Sequence, residues 1–226
     1  MFAFLILVQL GPLAALIVYF RKDFWALIKA FFAWPFSTSE NSLAWYILIG
    51  TVPALIAGVL LKNVVQSLFQ NPLLEAAIRL FTAALLLFLA EWFGKRVRIL
   101  DSMTWIDALV VGVCQILAVF PGASRSGSAI SGGMFRGFDR PAATRFAFLM
   151  SAPIMLAAGA YETLAVLKLH ILHALLAPLT VGFVVAAIIG WLSIRWLINY
   201  VGKHSLYVFA AYCAALGLAA LLIQLL

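Results

Sequence analysis

Arg125 has the most chemistry to offer. It stands in the run Pro121-Gly122-Ala123-Ser124-Arg125-Ser126-Gly127, within a largely apolar chain. A guanidinium at membrane depth is costly and usually marks a ligand or ion path. Its planar fork suits phosphate. Ser124 and Ser126 flank it, and Gly122 and Gly127 allow the backbone to approach a ligand closely. The first N–H groups of a helix starting here would add an anion-favouring dipole end. The pattern predicts a phosphate cradle inside the bilayer. The alternative is a broken helix in which Arg125 pairs with a carboxylate for packing alone. Gln115 lies within reach of this turn, to hydrogen-bond a ligand or bound water, or else a neighbouring helix. Ser128 either donates to the same anion or caps a helix.

Other titratable residues are weaker candidates. Glu75 and Arg79 stand i,i+4 in the favourable order for a local ion pair. Glu91 adjoins a basic loop and reads as interfacial. Asp107 reads as a solvated charge at a helix start, and Glu162 ends a span near the outer face. His170, His173 and His204 lie in or beside loops, where histidine is ordinarily solvated. Cys114 and Cys213 are far apart in apolar segments and read as inert packing thiols. No Walker loop, dinucleotide fingerprint or zinc motif occurs.

The elements that position these residues must be membrane helices. The 226 residues are 66% hydrophobic and 10% charged, with a mean hydropathy of +1.12. A soluble domain is nearer half apolar and a quarter charged. The bilayer is therefore the solvent, and backbone groups must be satisfied within helices. We expect an all-α polytopic membrane protein, one domain over residues 1–226. About six spans are predicted, near 1–20, 43–61, 73–93, 141–164, 176–198 and 206–226, with an amphipathic interfacial stretch over 23–36. Residues 105–138 differ. Two apolar arms, each too short to span, meet at the polar run, which predicts a re-entrant hairpin.

Basic residues test that layout. With Arg21 inside, the inner loops hold Arg21, Lys22, Lys29, Lys95, Arg96, Arg98, Arg136, Arg140, Arg145, Arg195 and Lys203. The outer loops hold only Lys62 and Lys168, and Arg79 and Arg125 fall within membrane segments. This asymmetry follows the rule that cytoplasmic loops retain Lys and Arg. It also explains the net charge of +7 without nucleic acid. The same layout places Met1 outside, so an upstream segment is expected in the natural protein.

The residues resemble a known family. Gly112-Val113-Cys114-Gln115, then Pro121 to Gly127, then Ile130-Ser131-Gly132-Gly133-Met134, looks like the second signature of the undecaprenyl-diphosphate phosphatases (BacA/UppP). Arg145 to Pro153 and Val8-Gln9-Leu10-Gly11 also resemble family segments. The resemblance implies an inner-membrane enzyme that takes one phosphate from undecaprenyl diphosphate at the outer face. It implies lipid-carrier recycling for peptidoglycan, bacitracin resistance, an inverted-repeat fold and a possible homodimer. It gives Arg125 the diphosphate, with Ser124 and Ser126 helping to form the pocket. Gln115, Gly122, Gly127 and Ser128 complete the substrate-binding candidates. A divalent cation (Mg or Ca) is implied, with ligands mostly outside this chain. The family's Glu-rich first signature, expected before Gln9, is absent, and Ala129 stands where Thr is usual. The rival readings are a polyprenyl-phosphate transporter or flippase, and an inactive truncated member.

Overall fold

The computed structural model describes residues 2–32, 38–68, 72–117, 124–167 and 172–225. Among them the chain forms nine α-helices and no named strand. They are α1 (Phe2–Tyr19), α2 (Arg21–Phe31), α3 (Ser39–Leu68), α4 (Pro72–Phe93), α5 (Trp105–Ile116), α6 (Arg125–Phe135), α7 (Arg140–Leu167), α8 (Leu172–Val201) and α9 (Tyr207–Leu225). A 3-10 turn at Leu100–Ser102 precedes α5. This is the all-α polytopic architecture expected.

Four of the six expected spans are long and apolar enough to cross a bilayer by themselves: Ser39–Leu61, Leu73–Phe93, Leu179–Val201 and Tyr207–Gln224. The other two fall on α1 and α7, whose described side chains cover only part of each helix. Helix α7 carries Arg140, Thr144, Arg145 and Ser151, yet its Phe146, Leu149 and Met150 are fully buried. It is the central strut, shielded from lipid by α1, α3, α6 and α8, so it need not be uniformly apolar. In α1 the apolar stretch reads from Leu10 to Tyr19 among the described side chains.

Lipid supplies no hydrophobic drive between helices, so close approach of small residues must hold them. A Cβ on Gly112 would lie 2.3 Å from the Gly50 carbonyl oxygen, which fixes α5 against α3. One on Gly132 would meet Cys114 Cβ at 3.0 Å, joining α6 to α5, and one on Gly133 would meet Ala143 Cβ at 2.9 Å, joining α6 to α7.

Helices α5 and α6 have 12 and 11 residues, or roughly 17 Å each at 1.5 Å per residue. That is about half of a ~30 Å hydrocarbon core. They form the short antiparallel pair predicted over 105–138, and the start of α5 meets the end of α6 at Asp107. This carboxylate accepts from Arg98 Nη1 at 3.0 Å and Nη2 at 2.7 Å, and from Arg136 Nε at 2.6 Å. It also closes a capping box with Thr104 at the start of α5. Gly137, at φ +83°, makes the turn out of α6 that a side chain would strain. Its carbonyl accepts from both Val97 N and Arg98 N at 3.0 Å, and the Arg98 guanidinium lies over Phe138 at 4.3 Å.

A second knot ties α4, α7 and α9. Glu91 accepts from Arg140 and Arg96 and from Leu206 N at 3.2 Å. The side chains of Glu91 and Asp107 are both 0% exposed. The sequence reading of Glu91 as interfacial and Asp107 as solvated is thus corrected. Each is a buried acid held by two arginines, one from the loop after α4 and one from the end of α6 or the start of α7, and two opposed cations outweigh the cost of desolvating one carboxylate.

Candidate functional site

Helix α6 begins at Arg125 because Ser124 caps it. Ser124 is extended (φ −63°, ψ 123°), and its hydroxyl accepts from Gly127 N at 3.3 Å. Its carbonyl takes Ser128 N at 2.8 Å, and its Oγ lies 3.2 Å from Ser126 Oγ. The N–H groups of Arg125 and Ser126, in the first turn, have no intrahelical acceptor. They point the positive end of the helix dipole toward whatever lies ahead.

Arg125 is exposed, and no acid among the described residues pairs with it. It opens onto a cavity of about 320 Å³ walled by α1, α5, α6, α7 and α8. One part of the lining is polar: Gln115, Arg125, Ser126, Ser151 and Ser193. The rest is apolar, with Pro12, Leu16, Phe148, Ile154, Met155, Ile194 and Leu197 among it. Such a wall suits an anion that carries a hydrocarbon tail.

Gln115 is 1% exposed, and neither its amide nitrogen nor its amide oxygen has a partner. An unsatisfied buried amide costs about 1–3 kcal/mol. The interhelical bond that the sequence allowed for Gln115 is therefore not made among the described residues. Ser151, by contrast, donates to the Ala147 carbonyl at 2.7 Å and so offers its lone pairs to the cavity.

The structure brings Gln115, Arg125 and Ser126 into one cavity. Ser124 and Gly127 stand just behind as cap and capped N–H. Ser128 does not cap α6, a role that falls to Ser124. It is buried within the helix with its hydroxyl unpartnered, as are Ser131 and Thr144. Gly122 lies outside the described residues, as do the side chains of Glu162 and His173 and all of His170. Glu75 and Arg79 form the expected ion pair at 2.9 Å. His204 stacks on Tyr200 at 4.5 Å, at the turn between α8 and α9. Sequence reasoning missed Ser193 as a cavity residue. Its signal is a single serine in an apolar helix, too faint to single out.

A hard divalent cation needs carboxylate or carbonyl oxygens, and softer ions favour imidazole or thiolate. The described cavity residues supply no carboxylate, imidazole or thiol. No group of three His, Cys, Asp or Glu suited to a metal occurs among the described residues. These residues do not fit the implied cation.

Comparison with known proteins places the chain. The family model described as bacitracin resistance protein BacA matches residues 1–219. The chain is 38% identical to an undecaprenyl-diphosphatase of Corynebacterium glutamicum, over 98% of this chain and 77% of that protein. It is 39% identical to one of Myxococcus xanthus, over 98% and 75%. It is 40% identical to one of Anaeromyxobacter dehalogenans, over 96% and 75%. With the match running through the capped start of α6 and the helices that wall its cavity, the chain belongs to the BacA family.

Proposed function

We propose that this protein hydrolyses undecaprenyl diphosphate to undecaprenyl phosphate and phosphate, recycling the lipid carrier of peptidoglycan synthesis and giving bacitracin resistance. The observation that carries this reading is the half-polar, half-apolar cavity that gathers Arg125, Ser126 and Gln115. Phosphoryl transfer needs positioning and charge stabilisation above all. The Arg125 fork takes the non-bridging oxygens of the terminal phosphate. The N–H groups of Arg125 and Ser126 reinforce it as charge develops. Ser124, through its 3.2 Å contact, holds the Ser126 hydroxyl in place. Gln115 donates to the diphosphate from the α5 side. Water adds to the terminal phosphorus, the bond to the bridging oxygen breaks, that oxygen leaves on the lipid phosphate, and the proton lost by the water passes to the surrounding water. The apolar wall seats the first part of the prenyl chain.

The charge-rich end of the bundle takes the cytoplasmic side of the bacterial inner membrane. The start of α6 then looks toward the outer face, where the substrate is expected.

Purified protein in detergent, supplied with undecaprenyl diphosphate, should release inorganic phosphate. Arg125→Ala should cut turnover by about 10²–10³, the loss seen when one preorganised charge stabiliser is removed. Arg125→Lys should fall between, since it keeps the charge and loses the fork. Turnover near normal in Arg125→Ala would sink the assignment. A translocator would release no phosphate at all.

A further inference from the structure

We propose that α2 is a docking surface for the anionic headgroups of membrane phospholipids, a binding site separate from the catalytic cavity. Its inward side is given by Leu27, which is buried, with Phe24 and Phe31 packed on the core. At 3.6 residues per turn, the outward side divides into two adjacent sectors. Ile28, Phe32 and Trp25 fall together in one. Lys29 and Lys22 fall together in the next, and Arg21 lies beside the aromatic pair. The apolar sector is truly outside: Trp25 is 62% exposed and Phe32 83%. The Lys29 ammonium lies over the Trp25 ring at 5.1 Å, at the seam between the sectors.

Two facts choose the occupant. The acid on this helix, Asp23, is bonded to Arg145 of α7. Its charge is therefore matched by a residue of the bundle, and Arg21, Lys22 and Lys29 face outward uncompensated by it. That same pair fixes α2 to the bundle, so the face is presented rigidly. An apolar sector beside a basic one is the arrangement of a helix lying at the headgroup boundary. A neutral lipid would satisfy only the aromatic half. A phosphate-bearing headgroup with net negative charge satisfies both, with the Lys stems covering apolar surface on the way.

The test uses the full chain reconstituted in phosphatidylcholine nanodiscs. Bromine-labelled phosphatidylglycerol or bromine-labelled phosphatidylcholine is added at the same mole fraction. The fluorescence difference between the natural chain and Trp25→Phe isolates Trp25. Phosphatidylglycerol should quench Trp25 several-fold more than phosphatidylcholine does. K22Q/K29Q should bring the two lipids to near-equal quenching, and K203Q, on another exposed loop at the same end, should keep the preference. In the natural chain the preference should also weaken with added salt. Equal quenching by the two lipids, or an unchanged preference in K22Q/K29Q, overturns the proposal. Phosphate release is unaffected by this assignment, so its failure and that of the proposed function are read separately.

Discussion

Gln115 makes the sharpest test at the residue scale because two readouts should move in opposite directions. Gln115→Leu fills the same space and removes a buried amide that has no partner. The unliganded bundle should be more stable by about 1 kcal/mol, measured as a higher unfolding midpoint in detergent. Substrate binding should weaken, with KM for undecaprenyl diphosphate rising about tenfold. A purely structural Gln115 would lower stability and leave KM alone. Arg125 was legible in the sequence because a guanidinium between glycines in an apolar chain has few uses. Gln115 was only half legible, since an amide in a helix reads equally as ligand contact or helix glue until its neighbours are known. Ser151 and Ser193 reach the cavity from α7 and α8, and no local spacing ties them to a turn some 30 to 70 positions upstream.

The hairpin is the element on which the site depends, and its geometry rests on Asp107 and a few glycines. Asp107→Asn leaves Arg98 and Arg136 facing each other without a counter-charge. It should cost about 3–5 kcal/mol, seen as a lower unfolding midpoint together with lost phosphate release. Burial raises the Asp107 pKa, but hydrogen bonds from Arg98, Arg136 and Thr104 outweigh that and hold it well below the usual carboxylate range. A depressed folded-state pKa contributes stability that is present above the unfolded value, about 3.9, and lost below it. Stability should therefore be flat from pH 7 to about 4 and fall beneath that, and Asp107→Asn should flatten the acid limb. Glycine contacts give a paired comparison. Gly112→Ala pushes a methyl into the Gly50 backbone, whereas Gly58→Ala meets nothing within 4 Å. Only the first should reduce the yield of folded protein. The two short arms were legible from their length, whereas Pro121 and Gly122 between them lie outside the described residues. The buried acids were not, because Arg136 lies 29 positions from Asp107 and Arg140 lies 49 from Glu91. Their burial is a property of the assembled bundle.

At the scale of the whole molecule, the basic residues counted along the sequence gather in space. Arg96, Arg98, Arg136, Arg140 and Arg145 all engage acids at one end of the bundle. The count therefore registered two things at once, orientation in the membrane and the ion pairs that close the helices. A cysteine at Gln66, near the far end of α3, and one at Lys203, in the turn before α9, should lie on opposite sides. In a chain with Cys114 and Cys213 changed to Ser, an impermeant maleimide should label position 66 in intact cells and position 203 only after permeabilisation. Labelling of both in intact cells would contradict the orientation. Glu91 also sets an order of assembly. It meets Arg96 five positions later, Arg140 after 49, and Leu206 N after 115. At 5–20 residues per second of synthesis, the last of these is made on the order of 10 s after the acid itself. The nascent chain thus carries a carboxylate that is chaperoned first by its own neighbour, and the residue that opens onto α9 is the last of these partners to reach it.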